Sequence, residues 1–507
     1  MRTAITRIVI VGGGTAGWLA ACRIAAACPG SLEVTLVESP DVATIGVGEG
    51  TWPTMRHTLQ QIGISETELL LACDGSFKQG TRFDGWATGA AGEHYYHPFV
   101  PPIEADPRDL PAGIPFAAAA SPQPRICAAD LAPRQRTMPD YAGALNYAYH
   151  LDAAKLAALL QRHATERLGV RHVRDHVDAI DAAPNGDIAA VGTRGSGRIA
   201  GDLFLDCTGA AALLIGEHLG VGSVDCAAIL PNDRALAVQL PVAADSPIAS
   251  QTTATAHAAG WIWDIALPTR RGIGCVYASS FIDDDAASEI LTAYCRRIAP
   301  EQAPPPFRRL AFRSAYRERF WERNCLAIGQ SAGFLEPLEA SAIVMIELSL
   351  NALLDDFPIE PEGMAIQARR FNALVRYRWE RIVEFLKLHY AVSRREEPYW
   401  RAHRDPAGLP PRLAENLALW RHRAPAAIDL PMQDEVFPAA SYRYVLWGMG
   451  FPLPDRPAAR PAGADLAPQL RQLDQRTRTL AASLPTNRAY LAGLRAAATP
   501  AIESCAP

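Results

Sequence analysis

The chain has 507 residues, 49% hydrophobic and 20% charged, with a formal net charge of −5. That length exceeds what one simple core takes, so two intertwined lobes are expected. The charge balance gives no electrostatic case for a nucleic acid or an anionic membrane as partner.

No window of about 18 uninterrupted apolar residues occurs, so no transmembrane helix is expected. The start, MRTAITRIVIVGGG, has a short apolar stretch that runs into glycines and resembles neither a signal nor a transit peptide. Ten cysteines are scattered without a CxxC pair. That pattern suggests neither a metal site nor a disulfide framework, and it suits a reducing cytoplasm.

The first element is the β-branched run RIVIV, followed by Gly12-Gly13-Gly14-Thr15-Ala16-Gly17 and an alanine-rich helical pattern. GxGxxG between a strand and a helix has a physical logic. Gly12 allows the tight turn, Gly14 lets the backbone approach a pyrophosphate, and Gly17 lets the helix pack close to the strand. The helix N-terminus then offers free N–H groups to the phosphates. A second strand, LEVTLVE, ends in Glu38, where an acid is expected to bind the ribose 2′-hydroxyl. The alternative is a glycine turn that serves packing alone.

Three later stretches favour FAD over NAD. TIGVGEGTWP (Thr44–Pro53) is a glycine-rich loop just after the second strand. DLFLDCTGAAALL (Asp202–Leu214) reads as a third strand ending at Gly209. CLAIGQSAGFLEPLEASAI (Cys325–Ile343) reads strand, glycine turn, helix. Together they outline an α/β FAD-binding lobe of Rossmann type, like that of hydroxybenzoate hydroxylase. The stretch from Glu93 to Asp140 is rich in Pro and Ala and reads as a long irregular excursion. From Glu347 the pattern turns helical, which predicts an FAD-binding lobe over 1–346, including sheet insertions on the substrate side, and a mainly helical cap lobe over 347–507. In AGWIWDIALPTRRG, Trp261, Trp263, Ile265 and Leu267 alternate, so all four are expected on one face of a strand. A plain buried core strand is the simplest account of them.

The chain resembles the flavin-dependent halogenases of the tryptophan-halogenase family. The resemblance rests on GGGTAGW, IGVGEGTWP, FKQGTRFDGW, NYAYHLDA, LPNDRALAV, GWIWDIAL, GFLEPLEAS and HYAVSRREEPYW. The family's WxWxIP stands here as Trp261-Ile262-Trp263-Asp264-Ile265-Ala266, with alanine in the proline position. The resemblance implies a halogenation that uses FADH2 and O2, with chloride or bromide as co-substrate. It also implies a separate flavin reductase, since no second GxGxxG follows a strand. The substrate implied is an electron-rich aromatic ring, indole or tryptophan-like, and the assembly is left open, a homodimer included.

By the same resemblance, Lys78 is the catalytic lysine that holds hypohalous acid or a chloramine, and Glu339 is its acidic partner. A lysine among apolar neighbours is costly to bury and chemically altered by burial. The implied cofactor set is Gly12, Gly14, Thr15, Ala16, Gly17, Glu38, Ser39, Val47, Glu49, Val177, Gln330 and Ile343. The halide falls on Ser341 and Ala342, where tryptophan-selective members carry a different turn. His97, Pro98, Phe99 and Tyr444 are expected to line the substrate pocket, with Tyr442 and Trp447 closing it. Trp261 and Trp263 become shielding residues that keep an organic substrate from the flavin. Glu336, three positions before Glu339, is expected to be a solvated acid at a helix start. The alternative function is an FAD-dependent aromatic monooxygenase.

Overall fold

The computed structural model describes residues 4–42, 49–453 and 466–498, with Glu49 described in its backbone only. The chain forms two compact units, each assembled from three segments: 1–74, 151–226 and 313–380 in the first, and 75–150, 227–312 and 381–507 in the second. The units are thus interleaved, in place of the single division at 346 that the helical pattern suggested.

The first unit is built on a six-stranded sheet. Its order is Trp321–Glu322, Cys325–Ala327, Leu203–Asp206, Arg7–Val11, Glu33–Glu38, Arg171–Arg174. All pairings are parallel except the outermost, between Trp321–Glu322 and Cys325–Ala327. A parallel sheet covered on both faces needs near-continuous apolar strands. Ile8, Val9, Ile10 and Val11 meet that need, all buried, against Leu203, Phe204 and Leu205 on one side and Val34 and Leu36 on the other. The third strand stops at Asp206, before Gly209, because the buried Asp206 carboxylate accepts from the N–H groups of Thr208, Leu214 and Ile215 and turns the chain.

The second unit is built on a seven-stranded sheet. Its order is Arg308–Ala311, Arg234–Pro241, Arg270–Tyr277, Gly260–Ala266, Thr252–His257, Gly80–Asp84, His94–Pro98. Only the pairing of Thr252–His257 with Gly80–Asp84 is parallel. The helix Asp284–Ile298 covers one face, burying Ala287, Leu291 and Cys295 against Leu236, Val238, Ile262 and Cys275.

The stretch from Glu93 to Asp140 is largely irregular, as expected, but short elements interrupt it. It holds the edge strand His94–Pro98 and the helices Phe116–Ala120 and Gln123–Ala128. Three of its alanines are core: Ala117, Ala119 and Ala120 are buried with Tyr96, Phe116 and Tyr444. The late helices Ser341–Asp355, Pro361–Ala391 and Leu466–Ser483 form as the periodicity predicts. Among the described residues no helix is long and apolar enough to cross a membrane.

Candidate active site

The glycines after the first strand have distinct jobs. Gly12 has φ +115°, and a Cβ there would lie 2.1 Å from the Cys207 carbonyl oxygen. A Cβ at Gly17 would lie 1.9 Å from the Gly12 carbonyl oxygen, so only glycine lets the helix sit this close. A Cβ at Gly14 would meet nothing within 4 Å. Gly14 is the N-cap of the helix Thr15–Ala27, with no side-chain cap and no acid in the first turn. Open space above an uncapped helix start is what a phosphate needs.

A cavity of about 540 Å³ opens there, within the first unit. Gly12, Gly14, Thr15, Ala16, Glu38, Ser39, Val177, Gln330 and Ile343 line it, nine of the twelve expected cofactor residues. Gly17 is placed in the packing of the helix. Val47 and the Glu49 side chain lie outside the described residues. Glu38 bonds to His172 across 2.9 Å, and Ser39 Oγ lies 3.3 Å from His176 Nδ1. Neither histidine was visible as a site residue in the sequence: His176 lines the cavity from the turn after the strand Arg171–Arg174, and His172, on that strand, meets it only through Glu38. The glycine cradle, the bare helix N-terminus and the acid at the end of the second strand fit a dinucleotide such as FAD.

The same cavity is lined at its other reach by Pro337, Ala340, Ser341 and Ala342. Ser341 and Ala342 are the first residues of the helix Ser341–Asp355, so both offer N–H groups with no intrahelical partner. The preceding Ala340 holds a left-handed conformation, φ 54° and ψ 42°, which is strained for a residue with a Cβ. Glu339 is 5% exposed, and its carbonyl accepts from Trp52 Nε1 at 2.8 Å. Glu336 is a correction. It is fully buried and stands before the helix, in the Phe334–Ala340 turn region, so it is not a solvated helix-start acid.

In the second unit Lys78 ends the strand Ser76–Lys78, and its side chain is 1% exposed. Its Nζ lies 5.6 Å from the centroid of the Phe99 ring. The strand pairs antiparallel with Ala148–Leu151, placing Ser76 opposite His150 and Lys78 opposite Ala148. Lys78 and His150 therefore share one face of this pair. Burial, and next the charge of Lys78, hold the His150 imidazole well below its ordinary pKa, so it is neutral. His150 Nε2 is 2.8 Å from Thr252 Oγ1. On the other face, Phe77 packs against Tyr147 and Tyr490, and Asn487 bonds its N–H and C=O.

Trp261 and Trp263 lie on the strand Gly260–Ala266, every residue of which is buried. Trp261 faces Trp86 at 6.3 Å and Trp263 at 6.3 Å. Room for Trp263 comes from Gly274 on the paired strand, where a Cβ would lie 2.1 Å from the indole Cη2. Ile262 and Asp264 point the other way. Asp264 is held by Arg271 Nε at 2.8 Å and by the Tyr294 hydroxyl at 3.0 Å. The alternation read from the sequence holds through Ile265; the strand ends at Ala266, one residue before the buried Leu267.

His97 and Tyr444 come together, ring centroids 6.2 Å apart, and Phe385 and Phe437 join them at 5.6 and 6.4 Å from His97. Phe385 and Phe437 stack on one another at 3.7 Å. Both were missed in the sequence, where each is one apolar residue among many. The Tyr444 hydroxyl donates to the Val100 carbonyl at 2.8 Å. Pro98 and Phe99 follow His97 at the end of the edge strand. Trp447 packs on Phe116 at 4.6 Å and Tyr442 on Phe385 at 5.0 Å. Of the two expected catalytic groups, Lys78 belongs to the second unit and Glu339 to the first.

The first unit defines a dinucleotide-binding α/β enzyme, and the second holds the buried Lys78 and the buried pair Trp261 and Trp263. The family model for tryptophan halogenase matches residues 7–463. The chain is 34% identical to the tryptophan 6-halogenase SttH of Streptomyces toxytricini, over 96% of this chain and 98% of that protein. It is 32% identical to the tryptophan 7-halogenase RebH of Lentzea aerocolonigenes, over 97% and 99%. The crystal structure of a tryptophan halogenase from Shewanella frigidimarina superposes with a TM-score of 0.93, at 44% identity, over 97% of this chain and 98% of that one. The chain belongs to the tryptophan halogenase family and is a flavin-dependent halogenase.

Proposed function

We propose that this halogenase places chlorine or bromine on an electron-rich aromatic ring of indole or tryptophan type, with Lys78 as the residue that delivers the halogen. The observation that carries this reading is the burial of Lys78 beside Phe99 and a neutral histidine. An ammonium is costly to bury, and a chain that keeps one here gains a directed donor in a water-poor site. Bound FAD, supplied reduced by a separate reductase, would activate O2 for oxidation of halide to hypohalous acid. The glycine cradle, Glu38 and the helix start at Thr15 would hold that cofactor, and the N–H groups of Ser341 and Ala342 would hold the halide.

Lys78 then either donates a hydrogen bond to the oxygen of the hypohalous acid or, as the amine, exchanges one N–H hydrogen for halogen with release of water. Attack of the ring carbon on the halogen breaks the O–X or N–X bond, and the electron pair stays on oxygen or nitrogen. The ring becomes a cation that must lose a proton. Glu339 takes that proton and restores the aromatic ring. Trp261 and Trp263 act as shields, with no acid–base part, because an indole N–H only donates.

The test is Lys78→Ala, with halogenated product and oxidation of reduced flavin read in one sample. Flavin oxidation should persist while product falls to background, since assistance of this kind is worth about 10²–10⁴-fold. Lys78→Arg should not rescue, because guanidinium stays protonated and cannot carry halogen. Halogenation by Lys78→Ala near the wild-type rate would refute the assignment, and oxygen addition without halogen would point to a monooxygenase.

A further inference from the structure

Glu347 is a carboxylate that the reaction above does not use, yet it is 1% exposed in the middle of the helix Ser341–Asp355. Its two oxygens are occupied by two hydroxyls of one neighbouring helix, Thr54–Ile62. Thr54 Oγ1 donates to Oε2 at 2.9 Å, and Thr58 Oγ1 donates to Oε1. Thr54 and Thr58 are one helical turn apart, so the carboxylate bridges two successive turns of that helix. Arg23, on the helix Thr15–Ala27, supplies the nearby positive charge and bonds to Asn351 Oδ1 at 2.7 Å, one turn beyond Glu347.

The segment gripped in this way begins two residues after Trp52, whose indole N–H holds the Glu339 carbonyl at 2.8 Å. The residues 52–58 are thus bound twice to the chain from 339 to 347: by a side chain onto backbone at Glu339, and by hydroxyls onto a side chain at Glu347. Between those anchors lie the left-handed Ala340 and the bare N–H groups of Ser341 and Ala342. A non-glycine residue in that conformation persists only where its surroundings hold it.

We propose that Glu347 is a positioning residue for the 339–342 turn: by clamping Thr54 and Thr58 it keeps the Trp52 indole on the Glu339 carbonyl, and so fixes both the Glu339 carboxylate and the halide-binding N–H groups. This rests on the roles given above to Glu339, Ser341 and Ala342. Glu347 does not line the cavity, so its action runs through the helix Thr54–Ile62 and Trp52.

The experiment compares the full-length wild type with Glu347→Gln, the pair Thr54→Ala/Thr58→Ala and the pair Thr54→Ser/Thr58→Ser. Two quantities are read. One is hydrogen–deuterium exchange of peptides spanning 336–343, which needs no turnover. The other is the KM for bromide, with product formed per flavin oxidised. In Glu347→Gln and the alanine pair, exchange of the turn should quicken by roughly five- to tenfold, the change expected on losing one buried hydrogen bond. The bromide KM should rise by a similar factor with less product per flavin, while the KM for the aromatic substrate stays put. The serine pair keeps both hydroxyls and should match wild type in every reading, which a general packing defect would not produce. Unchanged exchange and unchanged bromide KM in folded Glu347→Gln or in the alanine pair would overturn the proposal. A wild type that makes no halogenated product would instead fail the reading of the reaction; quickened exchange in the variants would then still uphold the clamp.

Discussion

Burial raises the pKa of Glu347 to about 7, against the opposing pull of the Thr58 and Thr54 hydroxyls and of Arg23. An ordinary glutamate titrates near 4.5. A carboxyl whose pKa rises on folding favours the folded state below its unfolded pKa, and that contribution is lost as pH climbs through the folded value. The window here runs from about 4.5 to about 7. At about 1.4 kcal/mol per pKa unit, the full difference is on the order of 3 kcal/mol, most of it between pH 5 and pH 8. Glutamine cannot titrate, so Glu347→Gln should gain stability relative to wild type by that order as pH rises through this window. The assay is urea unfolding of both proteins, without flavin, at pH 5, 6, 7 and 8, taking the difference between the two at each pH so that every other titrating group cancels. A difference that stays constant within about 0.5 kcal/mol, the usual scatter of an uncoupled substitution, would refute the reasoning. A trend of the opposite sign would do the same.

Gly274→Ala forces the Trp263 indole to move, because the new Cβ starts 2.1 Å from Cη2; the expected cost is about 1–3 kcal/mol, read from the denaturation midpoint, with a shift in tryptophan fluorescence. Gly17→Val should abolish FAD binding, since its side chain would enter the Gly12 carbonyl; a flavin dissociation constant near wild type by fluorescence titration would count against the cradle. The purified chain alone should oxidise NADH no faster than a blank, and rapid NADH oxidation would argue against a separate reductase.

Local signals carried much of the first unit into view. A strand, GGGTAG, a helix and an acid at the end of the next strand need only short-range chemistry, and the cavity is lined by those residues. The Trp261–Trp263 alternation was readable for the same reason, because a strand's period is local. The short helix Phe116–Ala120 within the Glu93–Asp140 stretch was hidden because its alanines look like loop until Tyr96 and Tyr444, far apart in sequence, bury them. Glu336 was misread as solvated because a lone carboxylate gives no sign of burial in sequence. His150, His172, Phe385, Phe437 and Glu347 had no local signal at all; each takes its place only through a register or a helix pairing. The interleaving of the units is likewise a matter of long-range contacts, invisible to a pattern read along the chain. Lys78 stood out only through resemblance, since a buried and a surface lysine are spelled alike.

The most direct measurement combines the purified chain with FAD, a flavin reductase, NADH, oxygen, bromide and an electron-rich indole, and reads the product by mass spectrometry. The account predicts an indole carrying the two-isotope signature of one bromine, present with wild type and absent with Lys78→Ala at equal rates of flavin oxidation. An indole that gains only oxygen, or bromination that survives loss of Lys78, would contradict it.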